Sequence, residues 1–596
     1  MSSLGLFLWV VVATSACGNY LLSPLKLEWN NSAQRFVFSG ALGLGLWLFL
    51  LFWGGWMIAY TPTIGLVITI VMTIPALFQA KTFLQSRSNR RLPADGLTLV
   101  LAGFCGIVIL LSLAGSFAPI ADMADVLAYQ LNLPKEWVRV GHIRTFPYDI
   151  NSAFPLLVNV GFGFGLLFRS PAFANLLSVW IGVLSAAGVY GWIQQQSSER
   201  YAYFGAAAFL LSPAVYNHIN TPYVDLTLVL FSLVAFWSFM MWIQSSRSAW
   251  IGLSGIFCGL ALSVKYLALI YVFLIAVAIL VESVRKKLPA SRCLRLLGLF
   301  GIFAVSICMV WYARSYAVMG NPVYPYYSKY FGGQPSLVAW HTVDQAHGKG
   351  RSLWNLVTLF WDATFSPEAY VGFGTRWNLL FLGLSPAVFW YVFRKKVGWV
   401  VFFALGIFLS WFFMFQLMRY LLPFYPLYCI LLAWGLEYLL RGKKMLWTWI
   451  LMVCAWELAC TAMHARPLIQ AGLSVSHAQQ NLLKKESTYA MAQWVNDNLP
   501  SDARILGIGE QKFYYFNPSM IREEALRLFT RYPEHMHSPK ETAAFFKSKG
   551  FTHVLVTKQS DSETSLVNDS GLFRLLHESG YHSVSKNILY YLYVIL

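Results

Sequence analysis

The sequence predicts an α-helical polytopic membrane protein with about 14 spanning helices and a small C-terminal α/β domain outside the membrane. Three observations support this fold class. Of the 596 residues, 57% are apolar and only 12% are charged, whereas a typical soluble domain is roughly 45–50% apolar and about 25% charged. Apolar stretches recur along the first 464 residues, and the rest of the chain is polar. This composition excludes a soluble globular enzyme.

The candidate spans are apolar stretches long enough, or nearly long enough, to cross a hydrocarbon layer of ~30 Å. They lie at residues 4–22, 40–59, 62–80, 97–118, 172–193, 201–217, 223–243, 249–264, 266–284, 296–316, 377–393, 398–416, 419–439 and 445–463. The first stretch lacks a basic n-region, so we interpret it as a span, with a cleaved signal or lipoprotein anchor as the alternative. A further apolar stretch at 154–168 would reverse the side of every later loop if it crossed, so we predict an interfacial or re-entrant helix there.

Basic loops set the predicted orientation of the spans. The formal net charge is +18, and Lys and Arg gather in short loops between apolar stretches, as cytoplasmic loops do under the positive-inside rule. The clusters are Lys81/Arg87/Arg90/Arg91, Arg285/Lys286/Lys287/Arg292/Arg295, Arg394/Lys395/Lys396 and Arg441/Lys443/Lys444. This orientation places loops 119–171 and 317–376 and the C-terminal tail on the outer face. Nucleic-acid binding is therefore not needed to explain the charge.

The chain divides into three predicted parts. Residues 1–96 are N-terminal spanning helices, residues 97–464 are a membrane domain with outer loops 119–171 and 317–376, and residues 465–596 are a soluble α/β domain. After residue 469 lie 12 of the 26 acidic residues and 6 of the 11 histidines. Periodicity in this tail predicts helices at 488–498, 541–548 and 572–578 and strands at 504–509, 553–557, 581–586 and 589–595.

Acidic residues close to membrane depth are the first candidates for chemistry, because a charge at the centre of a span costs roughly 2.5–3.5 kcal/mol. Loop 119–171 opens with Asp122 and Asp125, which share one face if this segment is helical. Asp225 lies at the outer entrance of span 223–243. A carboxylate facing a low-dielectric cavity can take a proton from a hydroxyl or hold a divalent cation. Helix capping is the alternative role for Asp122 and Asp225.

Cations and aromatic residues gather on the same predicted side. Lys265 and Tyr266 lie between two spans, Arg314 lies at the outer end of another, and Arg419 and Tyr420 begin a fourth. These cations depart from the positive-inside trend, and cations beside aromatic rings suit a phosphate head-group whose lipid tail lies in the bilayer. Snorkelling of single side chains is the alternative.

Five short motifs occur in order between residues 125 and 423. They are Asp125-x3-Tyr129-Gln130-Leu131-x-Leu133-Pro134-Lys135, Pro222-Tyr223-x-Asp225, Val264-Lys265-Tyr266, Arg314-x5-Gly320-Asn321-Pro322-Val323-Tyr324-Pro325 and Arg419-Tyr420-Leu421-Leu422-Pro423. This ordered set resembles the bacterial GT-C glycosyltransferases, integral membrane enzymes related to the protein O-mannosyltransferases and the lipid A aminoarabinose transferase. Where related sequences often read Tyr-His-Leu, this chain has Gln130. The resemblance covers about residues 97–440 and the tail motif Asn496–Pro500.

The resemblance implies a GT-C-like fold, with 97–464 as the catalytic membrane domain, and a glycosyltransferase that transfers a hexosyl or pentosyl group. It implies a sugar donor linked to polyprenyl phosphate and an acceptor that is an envelope glycan, a lipid or a protein. The implied location is the bacterial inner membrane, with the C-terminal domain on the periplasmic side.

The resemblance also implies site residues. Asp125 matches the position of a catalytic base or metal partner, assisted by Asp122 or Asp225. The implied substrate-binding residues are Tyr129, Lys135, Tyr223, Lys265, Tyr266, Arg314, Asn321, Tyr324, Arg419 and Tyr420, with the cations Lys265, Arg314 and Arg419 on the donor phosphate. The sequence establishes no cofactor with certainty, and Asp125 and Asp225 are candidate ligands of a divalent cation such as Mg or Mn.

The sequence is also compatible with three other functions. A transporter or flippase of lipid-linked glycans is also polytopic, but paired halves with broken mid-membrane helices, which such proteins often show, are not evident in this sequence. An oligosaccharide polymerase or ligase would share the donor and differ in the acceptor. A non-catalytic scaffold would use the tail to recruit partners.

Overall fold

Apolar helices make up most of the chain, because a helix satisfies its backbone hydrogen bonds internally. The computed structural model describes residues 2–86, 95–332, 348–370, 376–395, 398–440, 444–535, 538–557 and 590–595. Up to residue 332 the helices are α1 (Ser3–Leu22), α2 (Ser32–Met57), α3 (Pro62–Ser86), α4 (Gly96–Gly115), α5 (Asn132–Val140), α6 (Leu157–Leu167), α7 (Ala172–Gln194), α8 (Glu199–Leu210), α9 (Pro213–Ile219), α10 (Asp225–Ser245), α11 (Ala249–Leu262), α12 (Ala268–Arg285), α13 (Ala290–Met319) and α14 (Ser328–Phe331). They are followed by α15 (Leu353–Phe365), α16 (Leu379–Arg394), α17 (Gly398–Met414), α18 (Phe424–Leu440) and α19 (Lys444–Leu473).

Nine of the described helices are long and apolar enough to cross a membrane, namely α1, α2, α3, α4, α7, α10, α12, α13 and α19. Four other predicted spans form shorter apolar helices, α11, α16, α17 and α18, of 14–17 residues. The predicted span 201–217 is divided into α8 and α9, because Pro213 has no N–H to continue the helical ladder. The helical multi-span fold is confirmed, and the count of fourteen is approximate.

The apolar stretch 154–168 forms the 11-residue helix α6. At 1.5 Å per residue it is about 16 Å long, roughly half of the hydrocarbon thickness. Residues 157–165 are buried inside the protein. This length agrees with the predicted re-entrant or interfacial helix.

Contacts between loops agree with the predicted alternation of the spans. At one end of the helices, Arg247 donates to the backbone oxygens of Leu25 and Lys26, and Arg200 pairs with Asp95 at 3.4 Å. All of these residues belong to predicted cytoplasmic loops. At the other end, the N–H of Tyr60 donates to the carbonyl oxygen of Gly141, which joins two predicted outer loops.

The tail forms the predicted α/β domain. Its sheet has the order β2-β1-β3-β4, formed by β1 (Arg504–Ile508), β2 (Ser519–Arg522), β3 (His553–Thr557) and β4 (Tyr590–Val594). β1 is parallel to β2 and β3, and β3 is antiparallel to β4. Alternate residues pack on opposite faces: Ile505 contacts the cluster of α21 (Tyr489–Asn498), and Leu506 contacts the cluster of α22 (Glu523–Thr530) and α23 (Pro539–Ser548).

The tail contains elements that were not predicted, and some predicted elements lie outside the described residues. The strand β2 and the helices α20 (Val475–Lys485) and α22 were not predicted, although both helices are amphipathic. The helix α19 continues past the predicted boundary at residue 464 to Leu473. The predicted helix 572–578 and strand 581–586 lie outside the described residues.

Candidate active site

The first predicted outer loop carries Asp125 at the start of an irregular helical turn. Residues Val126–Gln130 form a π-helical segment, in which the N–H of Leu131 donates to the carbonyl oxygen of Val126. Such segments are rare and often occur at functional sites. Asp122 precedes the helix with a φ of 57° and is exposed. The two carboxylates therefore do not share a helical face, because the helix begins after Met123.

Asp125 forms an ion pair with Arg419, a residue nearly 300 positions later in the chain. The distance between Oδ2 of Asp125 and a terminal guanidinium nitrogen is 2.5 Å. The exposed fraction is 33% for the carboxylate side chain and 15% for the arginine side chain. The pair is thus partly screened from water yet still open to a substrate.

A second ion pair lies beside the first. Nζ of Lys265 is 2.7 Å from Oδ1 of Asp225, whose side chain is only 1% exposed. The Lys265 ammonium lies 4.0 Å from the ring centroid of Tyr420, and the Arg419 guanidinium lies 5.3 Å from the same ring. Tyr420 therefore joins the two ion pairs.

These residues form what we call the acid–base cluster: Asp125, Tyr223, Asp225, Lys265, Arg419 and Tyr420. Tyr223 belongs to it because its ring centroid is 5.6 Å from the Arg419 guanidinium. Oδ2 of Asp225 is buried and has no hydrogen-bond partner within the described part of the chain. A buried carboxylate oxygen without a partner is costly.

His218 is a member of this region that the sequence reasoning missed. Its ring centroid is 5.1 Å from that of Tyr223, and its Nδ1 lies 2.7 Å from the carbonyl oxygen of Ala214. Its Nε2 is buried, with no hydrogen-bond partner among the described residues. The available signal was a histidine at the end of an apolar stretch, five residues before Tyr223.

Phe154 connects three further candidates to each other. Its ring lies 6.2 Å from Tyr129 and 6.3 Å from Tyr266, both in edge-on geometry. Its carbonyl oxygen accepts a hydrogen bond of 2.9 Å from Arg314. Arg314 is 8% exposed and is held by a carbonyl group rather than a carboxylate, so its positive charge is not neutralised by that contact.

Asn321 and Tyr324 occupy a buried turn after α13. The Asn321 amide donates to the carbonyl oxygen of Tyr326 and accepts from the N–H of Val323. Tyr324 is 1% exposed and packs with Ala153. The Asn321 side chain therefore stabilises the turn, and Tyr324 is buried beside it.

Lys135 contacts the C-terminal domain. Its ammonium donates to the carbonyl oxygens of Phe513, Tyr514 and Phe516 at 3.0, 3.2 and 2.9 Å. Burial lowers the pKa of Lys135 to about 8. All three ammonium protons have acceptors, so the substrate-binding role predicted for Lys135 has no support in this geometry.

The same segment, Phe513–Phe516, which we call the docking segment, also contacts the loop that carries Asp125. The N–H of Tyr514 donates to the carbonyl oxygen of Leu127, inside the π-helical turn. The hydroxyl of Tyr515 donates to the carbonyl oxygen of Ile120 at 2.6 Å. The C-terminal domain therefore holds the chain on both sides of Asp125.

The predicted metal ligands Asp125 and Asp225 lie in surroundings that do not suit a divalent cation. The described residues contain no group of three or more His, Cys, Asp or Glu side chains placed to hold a metal ion. Asp125 and Asp225 each have a cationic partner, which a metal would have to displace. These residues alone do not fit a Mg or Mn site.

Comparisons with known proteins identify the fold. Residues 156–311 match the family model described as dolichyl-phosphate-mannose-protein mannosyltransferase. This segment contains Tyr223, Asp225, Lys265 and Tyr266. No curated protein sequence matches the chain.

Two solved structures of ArnT from Cupriavidus metallidurans are similar to this chain. The one bound to undecaprenyl phosphate aligns with a TM-score of 0.54 and 14% identity, over 85% of this chain and 99% of ArnT. The apo structure aligns with a TM-score of 0.54 and 14% identity, over 84% and 99% of the two chains. The predicted GT-C-like fold is confirmed, because the chain has the fold of ArnT.

Proposed function

We propose that this protein is a membrane glycosyltransferase that uses a polyprenyl-phosphate-linked sugar as donor and an envelope or secreted molecule as acceptor. The observation that carries the proposal is the acid–base cluster, in which two carboxylates and two cations from four separate chain segments meet around Tyr420. The match to a mannosyltransferase family model and the shared fold with ArnT, crystallised with undecaprenyl phosphate, support it.

The proposed reaction is a displacement at the anomeric carbon of the donor sugar. The acceptor hydroxyl oxygen forms the new bond to that carbon as the bond to the polyprenyl phosphate oxygen breaks. The hydroxyl proton passes to the Asp125 carboxylate, and the lipid phosphate leaves with the bonding electrons. Lys265, Arg314 and Arg419 stabilise the negative charge that develops on the leaving phosphate.

Arg419 links donor binding to the availability of the base. The guanidinium that now holds the Asp125 carboxylate is also a strong ligand for phosphate, because its planar fork matches phosphate oxygens. A donor phosphate that engages Arg419 weakens its hold on Asp125. Asp125 then becomes a stronger base when the donor is present, which disfavours reaction before the donor has bound.

Asp225 and Asp122 have different proposed roles. The paired Oδ1 of Asp225 orients Lys265, and the unpartnered Oδ2 accepts a hydroxyl of the sugar or acceptor. Asp122 is exposed, and the described residues provide its carboxylate with no ion pair. We propose that Asp122 assists Asp125 only by placing a negative charge near the acceptor.

The proposed location is a bacterial inner membrane with the C-terminal domain on the periplasmic side. Support comes from the loops rich in Lys and Arg at the opposite end of the helices from the acid–base cluster. The proposed donor and acceptor both reach the site from that outer side.

The test is mass spectrometry of polyprenyl-phosphate sugars and envelope glycans from three strains. They carry the wild-type protein, no protein, or Asp125→Asn at equal expression. We expect only wild type to add a sugar to an envelope molecule, while the other two strains accumulate the lipid-linked donor. The modified molecule identifies the acceptor, including whether it is an oligosaccharide as for a polymerase or ligase.

Other outcomes would contradict the proposal in different ways. If Asp125→Asn behaves like wild type, the base is misassigned. If the strain without the protein shows no change in any glycan, transfer is refuted and transport or scaffolding becomes the better explanation.

A further inference from the structure

A cavity of about 390 Å³ lies between the first outer loop and the C-terminal domain. Residues from α5 form one wall, the turn around Tyr148 and Asp149 forms a second, and the edge strand β2 forms a third. This volume lies in the usual range of small-molecule sites, roughly 300–1,000 Å³. It is large enough for one or two sugar rings.

The cavity is separate from the acid–base cluster. None of the six cluster residues lines it, although Ala128, one turn after Asp125, does. Asp125 contacts Arg419, while Asn132 and Glu136 of the same helical stretch face the cavity. A ligand there is close to the segment that carries the base and does not itself occupy the reacting position.

The walls combine planar ionic groups with aromatic rings. Glu136 and Arg139 form an ion pair of 2.5 Å, and Asp149 lies within electrostatic range of Arg522. The Glu136–Arg139 pair presents an acceptor and a donor side by side, which match the neighbouring hydroxyl groups of a sugar. Phe146, Tyr148 and Phe513 add ring surfaces, against which the C–H face of a sugar can pack.

Asn132 supplies an independent indication of a ligand. Its side chain lines the cavity and is 5% exposed. Its amide oxygen is buried and has no hydrogen-bond partner within the described ranges. A buried acceptor left unpaired destabilises a protein, so a bound hydroxyl toward which the Asn132 amide turns would stabilise this residue.

We infer that this cavity is a second, non-catalytic binding site for a hydroxyl-rich saccharide. The choice of ligand class follows from the lining. Four arginines and three carboxylates nearly balance, namely Arg139, Arg144, Arg504 and Arg522 against Glu136, Asp149 and Asp502. This small net charge does not favour a phosphate anion, and seven charged side chains around one cavity do not suit an acyl chain.

The inference goes beyond the proposed transfer reaction, because binding at this site needs neither the donor nor Asp125. If the protein is a transferase, the site holds a sugar of the acceptor remote from the bond that forms. Binding energy from remote parts of a substrate then assists the reaction.

The experiment is saturation-transfer NMR with the full-length protein in a detergent whose head-group is not a sugar. The probes are D-glucose, D-galactose, N-acetylglucosamine, glucuronic acid and their disaccharides. The variants are Asn132→Leu, which removes the amide at similar volume, and Ser519→Trp, which fills the cavity from β2. Lys547→Gln is the matched control, because Lys547 is exposed on α23 of the same domain and does not line the cavity.

We expect at least one probe to bind wild type and Lys547→Gln equally, and to lose at least about fivefold in signal with Asn132→Leu and Ser519→Trp. Asn132→Leu should keep or raise the Tm, since it removes an unpaired buried amide, so lost binding would not reflect unfolding. Binding of no probe by wild type, or equal binding by all four proteins, would overturn the inference. Saccharide binding without any transfer activity would refute only the proposed function.

Discussion

The buried carboxylate of Glu486 accepts a hydrogen bond of 3.0 Å from the backbone N–H of Asp122. Glu486 lies in the segment that leads into the C-terminal domain, and its side chain also pairs with Nζ of Lys512 at 2.8 Å. The oxygen that pairs with Lys512, Oε1, also accepts hydrogen bonds from the N–H and hydroxyl of Thr488. Together with the docking segment, Glu486 fixes the position at which the chain enters the turn that carries Asp125.

Glu486→Gln should loosen this entry point. The Glu486 side chain is fully buried and that of Lys512 is 17% exposed, so loss of the carboxylate leaves a poorly solvated ammonium and costs roughly 2–3 kcal/mol. Hydrogen–deuterium exchange should increase at residues 120–127, and transfer activity should fall. The double variant Glu486→Gln/Lys512→Met should recover Tm but not exchange protection at Asp122. Unchanged exchange in both variants would show that the contact does not restrain the loop.

Asp125→Asn should reduce transfer by roughly 10²–10⁴-fold, the usual contribution of a general base. The variant keeps the size of the side chain but leaves the Arg419 guanidinium, which is 15% exposed, without its carboxylate, so the Tm should also fall. Single-turnover assays with equal amounts of folded protein measure the loss. If the KM for the donor rises while kcat stays unchanged, Asp125 only positions Arg419.

Lys265→Met should destabilise the protein strongly, by roughly 3–5 kcal/mol, because it leaves the buried Asp225 carboxylate without its partner. The double variant Asp225→Asn/Lys265→Met should regain most of that stability, and it should remain inactive if the pair acts on substrate. Thermal unfolding and transfer assays on both variants separate the two effects. Activity in the stable double variant would assign the pair a purely structural role.

Lys135 makes the stability of the protein depend on pH. The pKa of Lys135 is about 8 in the folded protein, whereas an unfolded lysine titrates near 10.4. Between these values the unfolded chain binds more protons, so the free energy of unfolding gains a contribution that rises with pH. The Tm of wild type should therefore rise relative to that of Lys135→Met from pH 8 to 10. A constant difference would mean that the pKa is not lowered.

Removal of divalent cations should leave transfer unchanged. Asp125 and Asp225 are neutralised by Arg419 and Lys265, so the site as folded does not need a metal to balance its charge. Assays in EDTA, with and without added Mg or Mn, measure the effect. Loss of activity in EDTA and recovery with either ion would support the sequence-based proposal that these carboxylates hold a cation.

Local sequence patterns predicted the secondary-structure elements that a single segment of the chain determines. Apolar stretches of spanning length identified the helices, because burial in hydrocarbon requires them regardless of their neighbours. The strands β1 and β3 were predicted from short apolar sequences and are confirmed. The break between α8 and α9 at Pro213 was missed, although proline is a local signal, because the apolar composition continues across it.

The site candidates differ in how far the sequence could reach. Asp125 and Arg419 were both named as candidates, but no pattern could show that they pair, since nearly 300 residues separate them. Lys135 had the same motif-based support as Tyr129, yet it contacts the docking segment. His218 was missed although Tyr223 and Asp225 follow it by five and seven residues, because a single histidine at the end of an apolar stretch belongs to no recognised motif.

The sequence alone was enough to predict a multi-span membrane protein with a C-terminal α/β domain, because composition and apolar length act locally along the chain. The tertiary structure was needed to show which charges meet, including the buried pair of Asp225 and Lys265. It was also needed to show that the C-terminal domain holds the turn around Asp125 and that a cavity lies between that domain and the loop. These relationships depend on contacts between residues far apart in sequence, and such contacts are set by how the helices and the domain pack rather than by any local propensity.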